Sequence, residues 1–117
     1  MTMFDAARHL RASVESILAQ TFGNFEFLIV DDGSRDDSAA IVESYRDARI
    51  RLVRNEQNKG QTPCLNQGLA LARGAWVARQ DADDLSLPRR LERQMERLGR
   101  DEKLALLGCQ ADRKSVV

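Results

Sequence analysis

Apolar residues along the chain follow two alternating patterns. Between residues 6 and 20, Leu10, Val14, Ile17 and Leu18 fall at i, i+4, i+7 and i+8. That is one stripe of a 3.6-residue repeat, so the spacing predicts a helix, with Asp5 as its N-cap. FEFLIV at 25–30 is nearly continuous and apolar, the signature of a strand buried on both faces, as parallel strands are. It ends in the turn Asp31-Asp32-Gly33-Ser34. A second helix is predicted over 37–45 with Ile41, Val42 and Tyr45 inward, and a strand over 50–54. Thr62-Pro63 reads as an N-cap followed by proline at the first helical position, opening a helix with Leu65, Leu69 and Ala72 inside and Gly74 beyond its end. A strand over 75–79 leads into an acidic loop. Pro88 then opens a helix with Leu91, Met95 and Leu98 inward and Gly99 as terminator, and LALLGC at 104–109 is a last strand.

Helix and strand thus alternate through the whole chain, which implies an α/β layer fold with a mostly parallel sheet. Ligands of such sheets bind beyond the carboxyl ends of the strands. Both acidic clusters, 31–32 and 81–84, lie at such ends.

The totals narrow the classes. A chain of 117 residues, 43% hydrophobic, suits one domain with a core built from aliphatic residues, since aromatics are only 5%. Its 18 basic and 18 acidic residues cancel, which argues against bulk attraction to nucleic acid. Cys64 and Cys109 form no metal-type spacing and read as small buried hydrophobes. Trp76 and Phe25 read as core, and the single histidine, His9, as part of a solvated face. No apolar run is long enough to span a bilayer and no signal pattern opens the chain, so the cytoplasm is the default expectation, possible attachment to the inner face of the membrane included.

Two motifs carry chemistry. Asp, Gly and Ser are ordinary turn residues, so LIVDDGS has a purely structural reading. Beside it stands a functional one, in which a carboxylate at the strand end accepts a hydrogen bond from a nucleobase edge. DADD places Asp81, Asp83 and Asp84 within four residues. Like charges so close repel, and a hard divalent cation held by one or two carboxylates and substrate phosphates would relieve them. An EF-hand is excluded, because Ser86 replaces the required glycine and Pro88 interrupts the loop. A receiver-type phosphoacceptor needs a lysine after a later strand, whereas Lys103 precedes one.

FEFLIVDDGSRDDS followed by RLVRNEQNKGQTPCLNQGLALARGAWVARQDADDLSLPRRLERQ resembles the family 2 glycosyltransferases of GT-A fold, over roughly residues 4 to 109. The resemblance implies a Rossmann-like nucleotide-diphospho-sugar transferase fold and inverting transfer of a sugar from a nucleotide-sugar, most commonly a UDP-sugar, to an acceptor. It implies Mg2+ or Mn2+ as cofactor. Asp32 would accept a hydrogen bond from the base. In the DXD element Asp83 would bind the metal and Asp81 would lie by the ribose or the metal's waters, with Asp84 as an outer acid. Phe4-Asp5 stands where members often carry Tyr-Asn, whose ring lies by the base.

The pattern departs from the family in two places. Only Met1-Thr2-Met3 precede Phe4, too few for the family's first, central strand. Unpaired backbone would then favour strand exchange or a homo-oligomer, with Ser115-Val116-Val117 a candidate to fill the gap. The acceptor half and its general base are also expected to be missing, since Asp112 is the only acid after residue 109. The chain therefore reads as a single incomplete domain over 1–117, truncated at both ends. The competing expectation is a non-catalytic binding or assembly remnant.

Overall fold

The computed structural model describes residues 1–109. Three parallel strands, β1 (Thr2–Met3), β2 (Phe27–Asp31) and β3 (Ile50–Arg54), form a sheet in the order β1-β2-β3. Four helices accompany them: α1 (Ala7–Leu18), α2 (Ser38–Glu43), α3 (Gln61–Leu71) and α4 (Arg90–Arg100). β2 is the central strand and is buried on both faces, as its apolar run predicts. Phe27 and Ile29 join Leu10, Val14 and Ile17 of α1 and Val42 of α2 in one apolar cluster. Val30 faces the other way, towards Gly68 of α3, where an added Cβ would lie 3.8 Å from its Cγ2. No helix among the described residues is long and apolar enough to cross a membrane.

The first strand is present, though reduced to two residues. Thr2 and Met3 pair with Val30 and Asp31, and the Met1 ammonium donates to the Leu28 carbonyl at 2.9 Å. The expectation that this segment cannot form a strand is therefore corrected.

A second correction concerns the segment expected to lead into the acidic loop. Residues 75–79 form no strand and lie exposed, with Trp76 44% and Val77 58% accessible. A strand needs a ladder to pair with, and the sheet's edge on this side is only the two-residue β1. Trp76 is consequently not core. The expected strand at 104–109 is also absent, and Leu106 is exposed. Leu69 likewise faces solvent, and α3 buries Cys64 instead. Asp112 and Ser115-Val116-Val117 lie outside the described residues.

The two cysteines separate. Cys64 is fully buried, and burial, reinforced by the Asp32 carboxylate, pushes its thiol up to about 11. Cys109 is exposed, against the sequence expectation. Reactivity follows the thiolate and its access. With a maleimide at neutral pH, Cys109 is expected to react promptly and Cys64 only after denaturant is added. Equal rates in the native protein would contradict the packing of α3 on β2.

Candidate functional site

The residues after β2 organise the surrounding loops. Asp31 is buried; its Oδ1 accepts the Ser34 amide at 3.1 Å and its Oδ2 lies 3.6 Å from Arg54. Gly33 has φ +77°, and a Cβ there would meet the backbone of Gln57 and Asn58 at 3.1 Å, so this position needs glycine for both conformation and space. Asp32 is 4% exposed and accepts the Lys59 and Gly60 amides at 2.8 Å each and Asn55 Nδ2 at 3.4 Å. Burial pulls its carboxyl upwards, but the Lys59 amide, the Cys64 thiol, the Gly60 amide and Asn55 together outweigh burial and hold it below the ordinary aspartate value. Asp32 thereby fixes the loop entering α3, whose N-cap Gly60 sits at φ 94°.

Asp5 does not cap α1. It stands at φ 46°, a left-handed position, and its carboxylate accepts the Arg35 amide at 2.8 Å and the Asp36 amide at 3.4 Å. The start of α1 is instead capped from a distant turn. Asp36 Oδ2 accepts the Ala7 amide at 3.1 Å and Ser38 Oγ accepts the Ala6 amide at 2.9 Å. These contacts lock the β1–α1 turn to the β2–α2 turn and so fix Phe4 and Asp5 above the sheet.

The acidic loop is held by a polar network on α1 and on Gln20 just beyond its end, which the sequence reading did not identify. Ser13 Oγ donates to the Asp81 carbonyl at 3.1 Å, and Ser16 Oγ accepts the Ser86 amide at 3.1 Å. Gln20 accepts the Leu91 amide at 3.0 Å and donates to the Leu87 carbonyl at 2.7 Å. Gln80, itself buried, donates to the Asp84 carbonyl at 2.7 Å and accepts from Ser86 and Arg90 at 2.8 and 2.9 Å. The available signal was the run Ser13, Ser16, Gln20 at i, i+3 and i+7, flanking the apolar stripe of α1.

The network presents Asp81, Asp83 and Asp84 together, with one carboxylate oxygen of each within 4.8 Å of the others. Asp81 is engaged by Arg79 Nε at 3.2 Å. The Asp84 carboxyl is raised above its ordinary value, first by partial loss of water on its protein side and then by the charges of Asp81 and Asp83. The set offers only hard oxygen atoms and retains excess negative charge, which fits Mg2+ or Mn2+.

A groove of about 520 Å3 joins Phe4, Asp5, His9, Gln61, Asp81 and Asp83. An adjoining one of about 300 Å3 holds Asp32 with Phe4, Asn58 and Gln61. Of the residues singled out in the sequence, Phe4 borders both grooves, Asp81, Asp83 and Asp5 the first, and Asp32 the second. The Asp5 carboxylate is already committed to backbone amides. His9 is exposed, as expected, at the rim of the first groove.

This arrangement has counterparts among known proteins. Residues 1–116 match the family described as Glycosyl transferase family 2. EpsE of Bacillus subtilis is 40% identical over 111 residues, covering 92% of this chain and 40% of EpsE. TarS of S. aureus, residues 1–349 in complex with UDP-GlcNAc, shares the fold at a TM-score of 0.81 and 26% identity over 85% of this chain and 30% of that one. The mannosyltransferase PcManGT from Pyrobaculum calidifontis, in complex with GDP-Man and Mn2+, has a TM-score of 0.66 and 27% identity over 72% of this chain and 26% of its own. The open parallel sheet with its helices is thus the GT-A, Rossmann-like fold of these glycosyltransferases. The chain spans about 40% of the length of EpsE. With the family matching nearly its whole length, the chain belongs to glycosyl transferase family 2.

Proposed function

We propose that this chain forms the donor side of an inverting glycosyltransferase, binding a nucleotide-diphosphate sugar, most readily a UDP-sugar, with a divalent cation. The observation that carries this reading is the convergence of Asp81 and Asp83 on the groove bordered by Phe4, beyond the carboxyl end of the sheet. The UDP-GlcNAc complex of TarS and the GDP-Man and Mn2+ complex of PcManGT support it. Asp83 would hold Mg2+ or Mn2+, with Asp81 beside it and Asp84 as an outer acid. When bound, the cation supplies Lewis-acid stabilisation of the charge that develops on the departing diphosphate.

The chain's own residues do the rest. Phe4 offers a ring face to the base. Asp32 would accept the base N–H, and its Asn55 contact, at 3.4 Å the longest of its three nitrogen donors, is the one the base would replace. Asp5 acts by holding the Phe4 turn in place. The general base that takes the acceptor's proton is assigned to none of the described residues. The same reading implies a location in the cytoplasm or at the inner face of the membrane.

Calorimetric titration with uridine diphosphate, with and without Mn2+, tests the proposal. Binding is expected only when the metal is present, and guanosine and thymidine diphosphates rank the base. Absence of binding for all three nucleotides with Mn2+ would overturn it in favour of a non-catalytic remnant.

A further inference from the structure

The acidic loop carries its own cation. Arg79 Nε donates to Asp81 Oδ1 at 3.2 Å, the one ion pair among the described residues that reaches Asp81, Asp83 or Asp84, while the Met1 ammonium and Arg90 act on Asp81 and Asp84 from farther off. The fold imposes this pairing through the main chain. The Arg79 carbonyl accepts Arg90 Nη2 at 2.9 Å, and the Asp81 carbonyl accepts Ser13 Oγ at 3.1 Å. Between them, Gln80 is buried and bonded to Ser13 Oγ at 3.3 Å. Backbone on both sides of the pair is therefore anchored, while the side chains of Arg79 and Asp81 remain 58% and 42% accessible. Arg79 cannot leave the neighbourhood of the triad, yet its guanidinium is free to swing out.

A guanidinium and a divalent cation compete for the same negative charge. A metal ion entering among three carboxylates would meet the positive charge of Arg79 already seated on one of them, and the two cations repel at such distances. Resting on the metal site proposed above, we propose that Arg79 is an internal counter-ion, displaced from Asp81 when the metal binds, and that it sets the affinity of the donor site for free metal. Without metal, Arg79 relieves part of the mutual repulsion of the triad, while the backbone anchors hold the loop in shape. With metal, that duty passes to the ion.

The test is titration of the full chain with Mn2+ alone, reading free Mn2+ by electron paramagnetic resonance at low ionic strength. Arg79→Gln is expected to bind Mn2+ about 3- to 5-fold more tightly than the native chain, the equilibrium equivalent of a strong exposed ion pair. Arg79→Lys keeps the charge and should stay close to the native chain, and circular dichroism verifies that both variants fold. Equal or weaker binding by Arg79→Gln would overturn the inference, as would a lysine variant that behaves like the glutamine one. Asp83→Ala in the same titration separates two failures. If the native chain binds Mn2+ through Asp83 but Arg79→Gln changes nothing, only the counter-ion role falls. If neither the native chain nor Arg79→Gln binds Mn2+, the metal site itself falls, and the counter-ion role with it.

Discussion

Asp83→Ala should abolish metal-dependent binding of a nucleoside diphosphate and leave the fold as stable as before. The Asp83 carboxylate is exposed and accepts no hydrogen bond from the described residues, so its removal takes no support from the structure. It also relieves repulsion with Asp81 and Asp84, which lie within 4.8 Å, so a melting temperature unchanged or slightly raised is expected. Loss of a direct ligand should exceed the loss typical of an outer partner, so binding with Mn2+ should weaken by at least about 100-fold. Calorimetry and thermal melting on the same preparation check both halves. Retained nucleotide affinity would remove Asp83 from the metal site, and a large fall in melting temperature would mean that the residue is structural.

Asp32→Ala is expected to behave in the opposite way, with its main effect on stability. The substitution leaves the Lys59 and Gly60 amides and Asn55 Nδ2 without their acceptor in a buried place. Hydrogen bonds to a charged group contribute roughly 1.5–3 kcal/mol each, and a buried donor left alone costs about 1–3 kcal/mol. Partial relaxation of the loop and entry of water bring the expected total to about 3 kcal/mol, or a fall of roughly 10–15 °C in melting temperature.

The pH dependence of that difference has a definite sign. The folded-state pKa of Asp32 is depressed below the ordinary aspartate value, so the unfolded chain binds the extra proton as pH falls. The advantage of the native chain over Asp32→Ala is therefore fully present above about pH 4 and lost as pH drops through the folded-state value. Denaturant melts between pH 3 and 7 measure it. A gap that is constant across this range would mean that the carboxylate charge plays no part. Because this residue supports the loop entering α3, weak nucleotide binding by Asp32→Ala would not by itself identify a contact to the base. Such binding has to be compared at a temperature where the variant is folded.

Sequence patterns revealed the frame of the molecule and misjudged its edge. α1 and β2 followed from local periodicity, because a half-buried helix and a doubly buried strand leave unambiguous apolar spacings. The segment Ala75 to Arg79 has the composition of a strand, but strand formation depends on a partner ladder, which no local pattern encodes. Asp5 looked like an N-cap because aspartate before a helix usually is one; its left-handed backbone turns the carboxylate towards Arg35 and Asp36 instead. The acidic triad was legible because three adjacent carboxylates demand an explanation wherever they lie. The polar residues that aim it were not, since Ser13, Ser16 and Gln20 meet Gln80, Ser86 and Leu91 across sequence separations of 67, 70 and 71.

The long-range capping of α1 bears on how the chain folds. A helix of 12 residues is marginal in water by itself, and the side chains that satisfy Ala6 and Ala7 reside in Asp36 and Ser38, beyond the whole of β2. The opening turn of α1 therefore lacks a local side-chain cap and draws its capping from the turn after β2. This opening turn can become stable only when β2 has docked and the turn after it has closed, so loop closure over about thirty residues precedes the reward. A ribosome releasing this chain would hold a fraying first helix until that turn emerged, and helix and strand would then become ordered in a single cooperative event.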